Sequence, residues 1–152
     1  MKKIDAHLAD YAHYHQTSGN VACHFVGIPL IVFGLLAMLR AVPLTSVGGF
    51  TVTAAEVVVL LSAIYYLTLD VALGGAMVLL SCIFDAGAVV VANAWIGLAA
   101  FVIGWIFQGI GHAKYEKKSP AFLKNFVHLL VGPVFLINEA TKLRPIEHPR
   151  AL

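Results

Sequence analysis

The chain has 152 residues, of which 60% are hydrophobic and 12% are charged, and its formal net charge is +2. A soluble domain usually carries about 25% charged residues, and a domain of this size could not bury so much apolar surface. The composition therefore excludes an ordinary soluble protein and indicates one integral-membrane domain spanning residues 1–152. Because the net charge is small and the basic residues lie near the two ends of the chain, no nucleic-acid surface is expected.

The polar start of the chain is predicted to be a short helix on the membrane surface. His7, Tyr11 and His15 follow one another at a spacing of four residues, which places them on one helical face. We predict that residues 1–20 form this amphipathic helix. Lys2 and Lys3 are followed by polar residues and not by an apolar run, so no cleavable signal peptide is predicted.

Four apolar segments follow, each close to the ~20 residues that cross a hydrocarbon core. They are residues 21–41, 53–69, 71–91 and 94–111. The short connections between the later segments predict antiparallel neighbours. Small residues would let the helix backbones approach closely, among them Gly74, Gly75, Gly87, Gly97 and Gly104.

The distribution of basic residues predicts the topology. No Lys or Arg occurs between Ala41 and Ala113, whereas both ends of the chain are basic. The positive-inside rule then places both termini in the cytoplasm, which requires an even number of spans. The apolar stretch 120–143 is interrupted by Lys124, His128 and Pro133, so it is predicted to be an interfacial or re-entrant helix.

The predicted fold class is therefore all-α, an integral membrane bundle of four transmembrane helices with an interfacial helix at each end. In this arrangement the start of the first span and the end of the fourth lie on the same side of the membrane. A bacterial inner membrane, with both termini on the cytoplasmic side, is the expected location.

Histidines at the rims of two spans are the candidate metal ligands. His112 and Glu116 are four residues apart and share a helical face. A break in the helix between His15 and His24 could fold His15 back towards His24. The topology thus allows His15, His24, His112 and Glu116 to converge on one ion. The alternative is that these histidines merely bond to head groups or to the backbone.

Two charged residues near the spans are harder to place. Arg40, at the end of the first span, is expected to reach the lipid head groups. Asp85 lies near the middle of a span, where a carboxylate is destabilising by ~2.5–3.5 kcal/mol. It is protonated, paired with a polar neighbour such as Ser81 or Asn93, or in contact with a wet cavity, and the sequence leaves these possibilities open.

Several further polar residues have weaker indications. Glu139 could supply another carboxylate, although as an isolated residue it is more typical of a solvated charge. The remaining histidines have no comparable spacing and are interpreted as surface or interface residues, namely His7, His13, His128 and His148.

Three sequence blocks carry a resemblance to a known family. They are Tyr14-His15 with Asn20, His24, Gly27 and Pro29; Gly104-Trp105-Ile106-Phe107-Gln108 with Gly111-His112 and Glu116-Lys117; and Pro133 with Phe135 and Glu139. Together they resemble the membrane-bound 2-hydroxy fatty acid dioxygenases of the endoplasmic reticulum. The likeness covers nearly the whole chain, and its second block is the most specific.

The resemblance implies an iron(II)-dependent dioxygenase that uses molecular oxygen to shorten a 2-hydroxy fatty acid by one carbon. The implied cofactor is Fe²⁺, and the implied partners are the 2-hydroxy fatty acid, oxygen and membrane lipid; the oligomeric state is left open. By motif position, the implied metal ligands are His15, His24, His112 and Glu116. The implied catalytic residues are Asn20, Gln108 and Glu139. Asn20 and Gln108 would orient ligands or oxygen.

Two other functions remain open at this point. A zinc-dependent membrane hydrolase could use the same histidines and glutamate to activate water. A small transporter or scaffold would instead use Asp85 as its coupling residue.

Overall fold

A computed structural model describes residues 3–117, 119–120 and 126–146 of the chain. Within these ranges the fold is mostly helical, as predicted. The helices are α1 (Lys3–His13), α2 (Ser18–Leu39), α3 (Ala54–Leu69), α4 (Val71–Val91), α5 (Ala94–Ile110) and α6 (Val127–Thr141), and a π-helical turn (Gly111–Glu116) continues α5. The strands are β1 (Pro43–Val47) and β2 (Phe50–Thr53).

Three of these helices are long and apolar enough to cross a membrane. They are α2, α4 and the continuous helix formed by α5 and its π-helical turn. The predicted second span corresponds to α3, an apolar helix of 16 residues, which is about 24 Å long at the usual helical rise. The prediction of a mostly helical fold with apolar helices of membrane-spanning length is thus confirmed, and among the described residues three helices meet the length for a full crossing.

A β-hairpin joins α2 to α3 and was not predicted. β1 and β2 pair in an antiparallel ladder, and Gly48 and Gly49 form the turn with φ angles of 57° and 85°. The sequence analysis assigned no element to residues 42–52, because it searched for spans of membrane length. The β-branched residues of Phe50–Thr53 are the signal that was missed.

Side-chain caps fix where the long helices begin. The hydroxyls of Thr17 and Thr53 accept hydrogen bonds from backbone N–H groups at the starts of α2 and α3. The side-chain oxygens of Asp70 and Asn93 do the same for α4 and α5. Each cap satisfies donors that have no partner within the helix, and the last two allow α3, α4 and α5 to follow one another with almost no loop.

The tightest helix contact lies between α2 and α5 and depends on glycine. A Cβ atom on Gly27 would lie 2.8 Å from the carbonyl oxygen of Gly104, and one on Gly34 would lie 2.4 Å from that of Gly97. Glycine at these positions therefore allows close backbone approach. Gly97 and Gly104 were predicted to have this role, whereas Gly75 lies in open space.

The terminal helices pack against each other and cover the bundle. Ile4, Leu8 and Tyr11 of α1 are buried in one apolar cluster with Val131 and Phe135 of α6. α1 was predicted to lie on the membrane surface, but its apolar face contacts protein. The predicted interfacial segment 120–143 contains α6, which is largely buried; its residues 121–125 lie outside the described part of the chain.

Asp85 has a partner that the sequence analysis did not consider. Arg40 Nη1 lies 2.7 Å from Asp85 Oδ1 and 2.7 Å from Glu56 Oε1. The guanidinium group has several donors in a fixed fork and can serve two carboxylates at once. Of the possibilities left open for Asp85, a polar partner is the one observed, but the partner is Arg40 and not Ser81 or Asn93, because the end of α2 brings a cation to both acids.

A second ion pair ties the segment after α6 to the bundle. Asp70, the buried cap of α4, pairs with Arg144. The backbone of Arg144 is held as well, since its N–H donates to Asn138 Oδ1 over 2.8 Å and its carbonyl accepts from Asn138 Nδ2 over 3.1 Å. These contacts hold the end of α6 next to the α3–α4 junction.

Candidate metal centre

Three histidines from distant parts of the chain meet at one end of the bundle. One potential ligand atom from each of His15, His24 and His112 lies within 4.8 Å of the other two. The three rings are buried, and the distances between their centroids are between 4.4 Å and 5.1 Å. The structure thus brings together three of the four residues that were predicted as metal ligands.

Backbone hydrogen bonds fix how two of these rings face. His15 follows α1, and its Nδ1 lies 2.8 Å from the carbonyl oxygen of Tyr11; the Tyr11 ring stacks on it at 4.0 Å. His24 is in α2, and its Nδ1 lies 2.9 Å from the carbonyl oxygen of Asn20. Because a carbonyl oxygen only accepts, both Nδ1 atoms must carry the proton and donate. The unprotonated nitrogen of each neutral ring is therefore Nε2.

The facing Nε2 atoms fit a bound cation. His15 Nε2 and His24 Nε2 are 2.9 Å apart, and two lone pairs at this distance repel each other unless a positive charge lies between or beside them. Burial, and then the neighbouring His24, lowers the pKa of His15 to about 2, so its imidazole is neutral at neutral pH. A neutral imidazole is the form that ligates Zn, Cu, Fe and Ni.

His112 completes the group from the other half of the chain. It lies in the π-helical turn that continues α5, and such turns frequently occur at functional sites. Its Nδ1 is buried and has no hydrogen-bond partner among the described residues. A buried ring nitrogen without a partner is destabilising, and a metal ion would supply the missing interaction.

Glu116 is not brought into this group. Its carboxylate instead accepts hydrogen bonds from the loop between α1 and α2: from the Gln16 and Thr17 backbone N–H groups at 3.2 Å and from the Thr17 hydroxyl at 3.0 Å. The Asn20 side chain donates to it at 3.1 Å. Through these hydrogen bonds Glu116 holds the loop that contains His15 against the helical turn that contains His112.

Asn20 and Gln108, the two predicted orienting amides, both lie near the group. Asn20 is fully buried, and its Oδ1 lacks a hydrogen-bond partner among the described residues. A Cβ on Gly111 would lie 2.4 Å from this oxygen, so glycine is needed next to His112. Gln108 lines the same cavity as the three histidines, and its buried Nε2 likewise has no partner within the described ranges.

Glu139, the third predicted catalytic residue, lies away from the histidines. Its carboxylate pairs with Lys142 Nζ at 2.7 Å, and it lines a different cavity together with Arg144 and Pro145. Phe135 is the α6 residue beside His15, with a centroid distance of 5.9 Å. Because Glu139 comes four residues later, it is displaced by about 6 Å along the helix axis.

Two residues near the histidines were missed or misread. Tyr11 is buried against His15, although the sequence analysis used it only to predict a helical face. His128, interpreted as a surface or interface residue, is 4% exposed, and its Nε2 lies 2.8 Å from Asp10 Oδ2. His128 shares one helical face with Val131 and Phe135, and this apolar spacing could have indicated that it is buried.

An elongated apolar cavity leads away from the three histidines. Its volume is about 440 Å³, and it extends between α2, α3 and α5 as far as Leu36 and Phe101. His112 and Phe101 are separated by eleven residues of one helix, which corresponds to roughly 16 Å. The site therefore combines a polar end with an apolar chamber long enough for an extended hydrocarbon chain.

Comparison with known proteins gives the family. Residues 1–143 match the family described as 2-hydroxy-palmitic acid dioxygenase Mpo1-like. The chain is also 31% identical, over 138 residues, to the 2-hydroxy-palmitic acid dioxygenase MPO1 of Saccharomyces cerevisiae; the alignment covers 90% of this chain and 78% of the yeast protein. No solved structure matches the chain. The resemblance seen in the sequence blocks is thus confirmed, and the chain belongs to the Mpo1-like family.

Proposed function

We propose that this protein is an iron(II)-dependent dioxygenase that shortens 2-hydroxy fatty acids by one carbon. Membership of the Mpo1-like family and the name of the yeast relative support a 2-hydroxy fatty acid dioxygenase. The observation that carries the proposal is the position of three converging imidazoles at the end of a long apolar cavity. A redox-active metal and a lipid substrate account for both parts of this arrangement.

In this proposal His15, His24 and His112 hold the ferrous ion. Bound iron supplies the oxygen chemistry for which protein side chains alone have no suitable group. The Tyr11 and Asn20 carbonyl oxygens orient two of the three rings through their Nδ1–H groups, which is the usual support for a histidine ligand. Gln108 offers its Nε2–H donors to the polar end of the substrate.

The apolar chamber would hold the acyl chain. Each buried methylene contributes about 0.8 kcal/mol, so long-chain 2-hydroxy acids should bind much better than short ones. The carboxylate and hydroxyl of the substrate would lie at the histidine end, where the imidazoles and the Gln108 amide line the cavity. The remaining chamber excludes water from the chain and from the reacting carbon.

We also propose four crossings, with the metal centre and both termini on the cytoplasmic side. The proximity of His24, near the start of α2, and His112, at the end of α5, requires an even number of crossings between them. If α2, α4 and α5 cross the membrane, α3 must cross it too. The length of α3, roughly 24 Å, is less than the ~30 Å thickness of the hydrocarbon core. Local thinning of the bilayer accommodates such a mismatch.

The direct test is turnover by the purified protein. Protein loaded with ferrous iron and incubated in air with 2-hydroxypalmitic acid should yield the acid that is one carbon shorter. Removal of oxygen, or of iron by a chelator, should abolish this product. Turnover that continues unchanged without oxygen would exclude a dioxygenase.

The same three histidines also favour one second candidate, a zinc-dependent hydrolase. Three histidines with an open fourth position are a known catalytic zinc set. Metal analysis of protein purified without added metal, combined with activity in the absence of oxygen, separates the two enzymes. A transporter that uses Asp85 gains no support, because Arg40 neutralises that carboxylate.

A further inference from the structure

His128 has an unused hydrogen-bonding atom at the cavity that contains the three histidines. Its Nε2 lies 2.8 Å from Asp10 Oδ2, and the Asp10 side chain is 55% exposed. Its Nδ1 is buried and has no hydrogen-bond partner among the described residues. The residue lines the same cavity as His15, His24 and His112. The proposed chemistry assigns no role to this side chain.

The pairing with Asp10 decides which nitrogen carries the proton. An ionised carboxylate only accepts hydrogen bonds, so His128 Nε2 must donate to Asp10. In the neutral imidazole the other nitrogen, Nδ1, is then an acceptor. Because an acceptor that is buried without a donor is destabilising, a bound ligand with an O–H or N–H group would complete the site.

His128 lies at the polar end of the cavity and not along its hydrocarbon part. Its ring centroid is 5.7 Å from that of Tyr11. The Tyr11 ring in turn stacks on His15 at a centroid distance of 4.0 Å. Tyr14 contacts the His128 ring edge-on at 5.8 Å. Together with Asp10, these rings hold the imidazole in one orientation next to the candidate metal centre.

We infer that His128 Nδ1 accepts a hydrogen bond from the 2-hydroxyl group of the substrate and so distinguishes 2-hydroxy acids from unsubstituted fatty acids. This inference rests on the proposed function. At neutral pH the carboxylate of either acid is an acceptor only, so the 2-hydroxyl is the single donor that a 2-hydroxy fatty acid can offer. Unsubstituted acids leave Nδ1 without a partner, so they form one hydrogen bond fewer than 2-hydroxy acids do and should bind more weakly.

The test is a binding measurement on the full-length, metal-free protein in detergent. Trp105 lines the cavity, whereas Trp95 is 79% exposed, so a Trp95→Phe background isolates the fluorescence of Trp105. The ligands are 2-hydroxypalmitic, 2-methoxypalmitic and palmitic acid. The background protein should prefer the 2-hydroxy acid over both others by about tenfold, the worth of one hydrogen bond to a buried acceptor.

Substitution of His128 should remove this preference and nothing else. His128→Ala is expected to bind the three acids within about twofold of one another, with unchanged affinity for palmitic acid. His128→Gln, whose Oε1 can accept from a hydroxyl, should restore part of the preference. The matched control is His13→Ala, since His13 is exposed on α1, and it should keep the full preference.

The possible results separate this inference from the proposed function. The inference is overturned if the His128→Ala protein keeps the preference, or if its affinity for all three acids falls by the same factor. A loss of iron as complete as that in His15→Ala also overturns it, because His128 would then be a ligand of the metal. If the metal-free background protein shows no preference for the 2-hydroxy acid, and the same protein loaded with ferrous iron forms no shortened product in air, the proposed function fails instead.

Discussion

At the residue scale, the orientation of two imidazoles is set by backbone carbonyl oxygens. The Nδ1 atoms of His15 and His24 are both used in hydrogen bonds to the residues four positions earlier, Tyr11 and Asn20. Their Nε2 atoms are left to face each other at 2.9 Å. The orientation of both rings is therefore set by hydrogen bonds within the protein, over a local spacing of four residues.

Replacement of any one of the three histidines should remove bound iron. His15→Ala, His24→Ala and His112→Ala each delete one ligand from a group of three, and we expect less than about one tenth of the wild-type iron, in line with the tenfold or greater losses seen even for outer-shell changes. The far-ultraviolet circular dichroism should stay unchanged, since the helices keep their caps. His13→Ala is the matched control, and full iron in all three variants would exclude the centre.

Glu116 should behave differently from the histidines. In Glu116→Gln the side chain loses its charge and part of its capacity to accept from Gln16, Thr17 and Asn20, which should lower the free energy of unfolding by about 1–3 kcal/mol. Iron should still bind at saturating ferrous ion, with reduced affinity. The measurement is an iron titration beside thermal unfolding; complete loss of iron would instead make Glu116 a ligand, as its spacing from His112 first predicted.

Whether a site residue was predicted correctly depends on the kind of sequence signal on which its prediction was based. His24 and His112 lie on helices whose direction was predictable from hydropathy and charge, so their proximity followed from topology. Glu116 was assigned as a ligand from helical spacing, but a π-helical turn replaces the regular helix at Gly111–Glu116. The spacing of His128 from Val131 and Phe135 could have indicated its burial, but its contact with Asp10 depends on how α6 packs against α1, which hydropathy along the chain does not encode.

At the element scale, the contact between α2 and α5 holds the histidines together. His24 lies on α2, and His112 directly follows α5, so any shift of one helix against the other separates the two rings. Gly27 and Gly104 make this contact close. The same hydropathy that indicated the helices gave no sign of the β-hairpin Pro43–Thr53, because its strands are too short for a membrane-length search.

Gly104→Ala should loosen this contact, and Gly109→Ala should not. A Cβ on Gly104 would lie 2.6 Å from the backbone oxygen of Gly27, so the helices must separate, which should destabilise the fold by about 1–3 kcal/mol. A Cβ on Gly109 meets nothing within 4 Å and should stabilise α5 by up to about 1 kcal/mol. Thermal unfolding in detergent gives the stability of both variants.

Iron affinity should follow stability in this pair. Because separation of α2 from α5 moves His112 away from His24, Gly104→Ala should bind iron more weakly than the wild type, and Gly109→Ala should match the wild type. Equal melting temperatures and equal iron affinities for the two alanine variants would show that the close approach at Gly104 does not position the metal centre.

At the scale of the whole molecule, the charges divide the bundle into two different ends. The end with the histidines carries Lys114, Lys117 and Lys142, whereas at the opposite end Arg40 is paired with Glu56 and Asp85. Basic residues near the ends of spans favour the cytoplasmic side of a membrane, and more of them lie at the histidine end than at the end with Arg40. This asymmetry is the physical basis for the proposed orientation.

Cysteine labelling in intact bacterial cells would test that orientation and the number of crossings together. Cys23 and Cys82 are free thiols, so both are first replaced by alanine. Single cysteines are then placed at exposed positions of the hairpin, the end of α3 and the π-helical turn: Ser46→Cys, Thr68→Cys and Lys114→Cys. With four crossings, a membrane-impermeant maleimide should label Ser46→Cys in intact cells and the other two only after the cells are permeabilised.

Each alternative topology gives its own labelling pattern. If α3 does not cross the membrane, its two ends lie on one side, and Thr68→Cys should be labelled together with Ser46→Cys. If the orientation is reversed, Lys114→Cys and Thr68→Cys should react in intact cells and Ser46→Cys should not. If the histidines of α2 and of the π-helical turn share one metal ion, the start of α2 and the ends of α3 and α5 face the same compartment. Thr68→Cys and Lys114→Cys must then react alike with the maleimide.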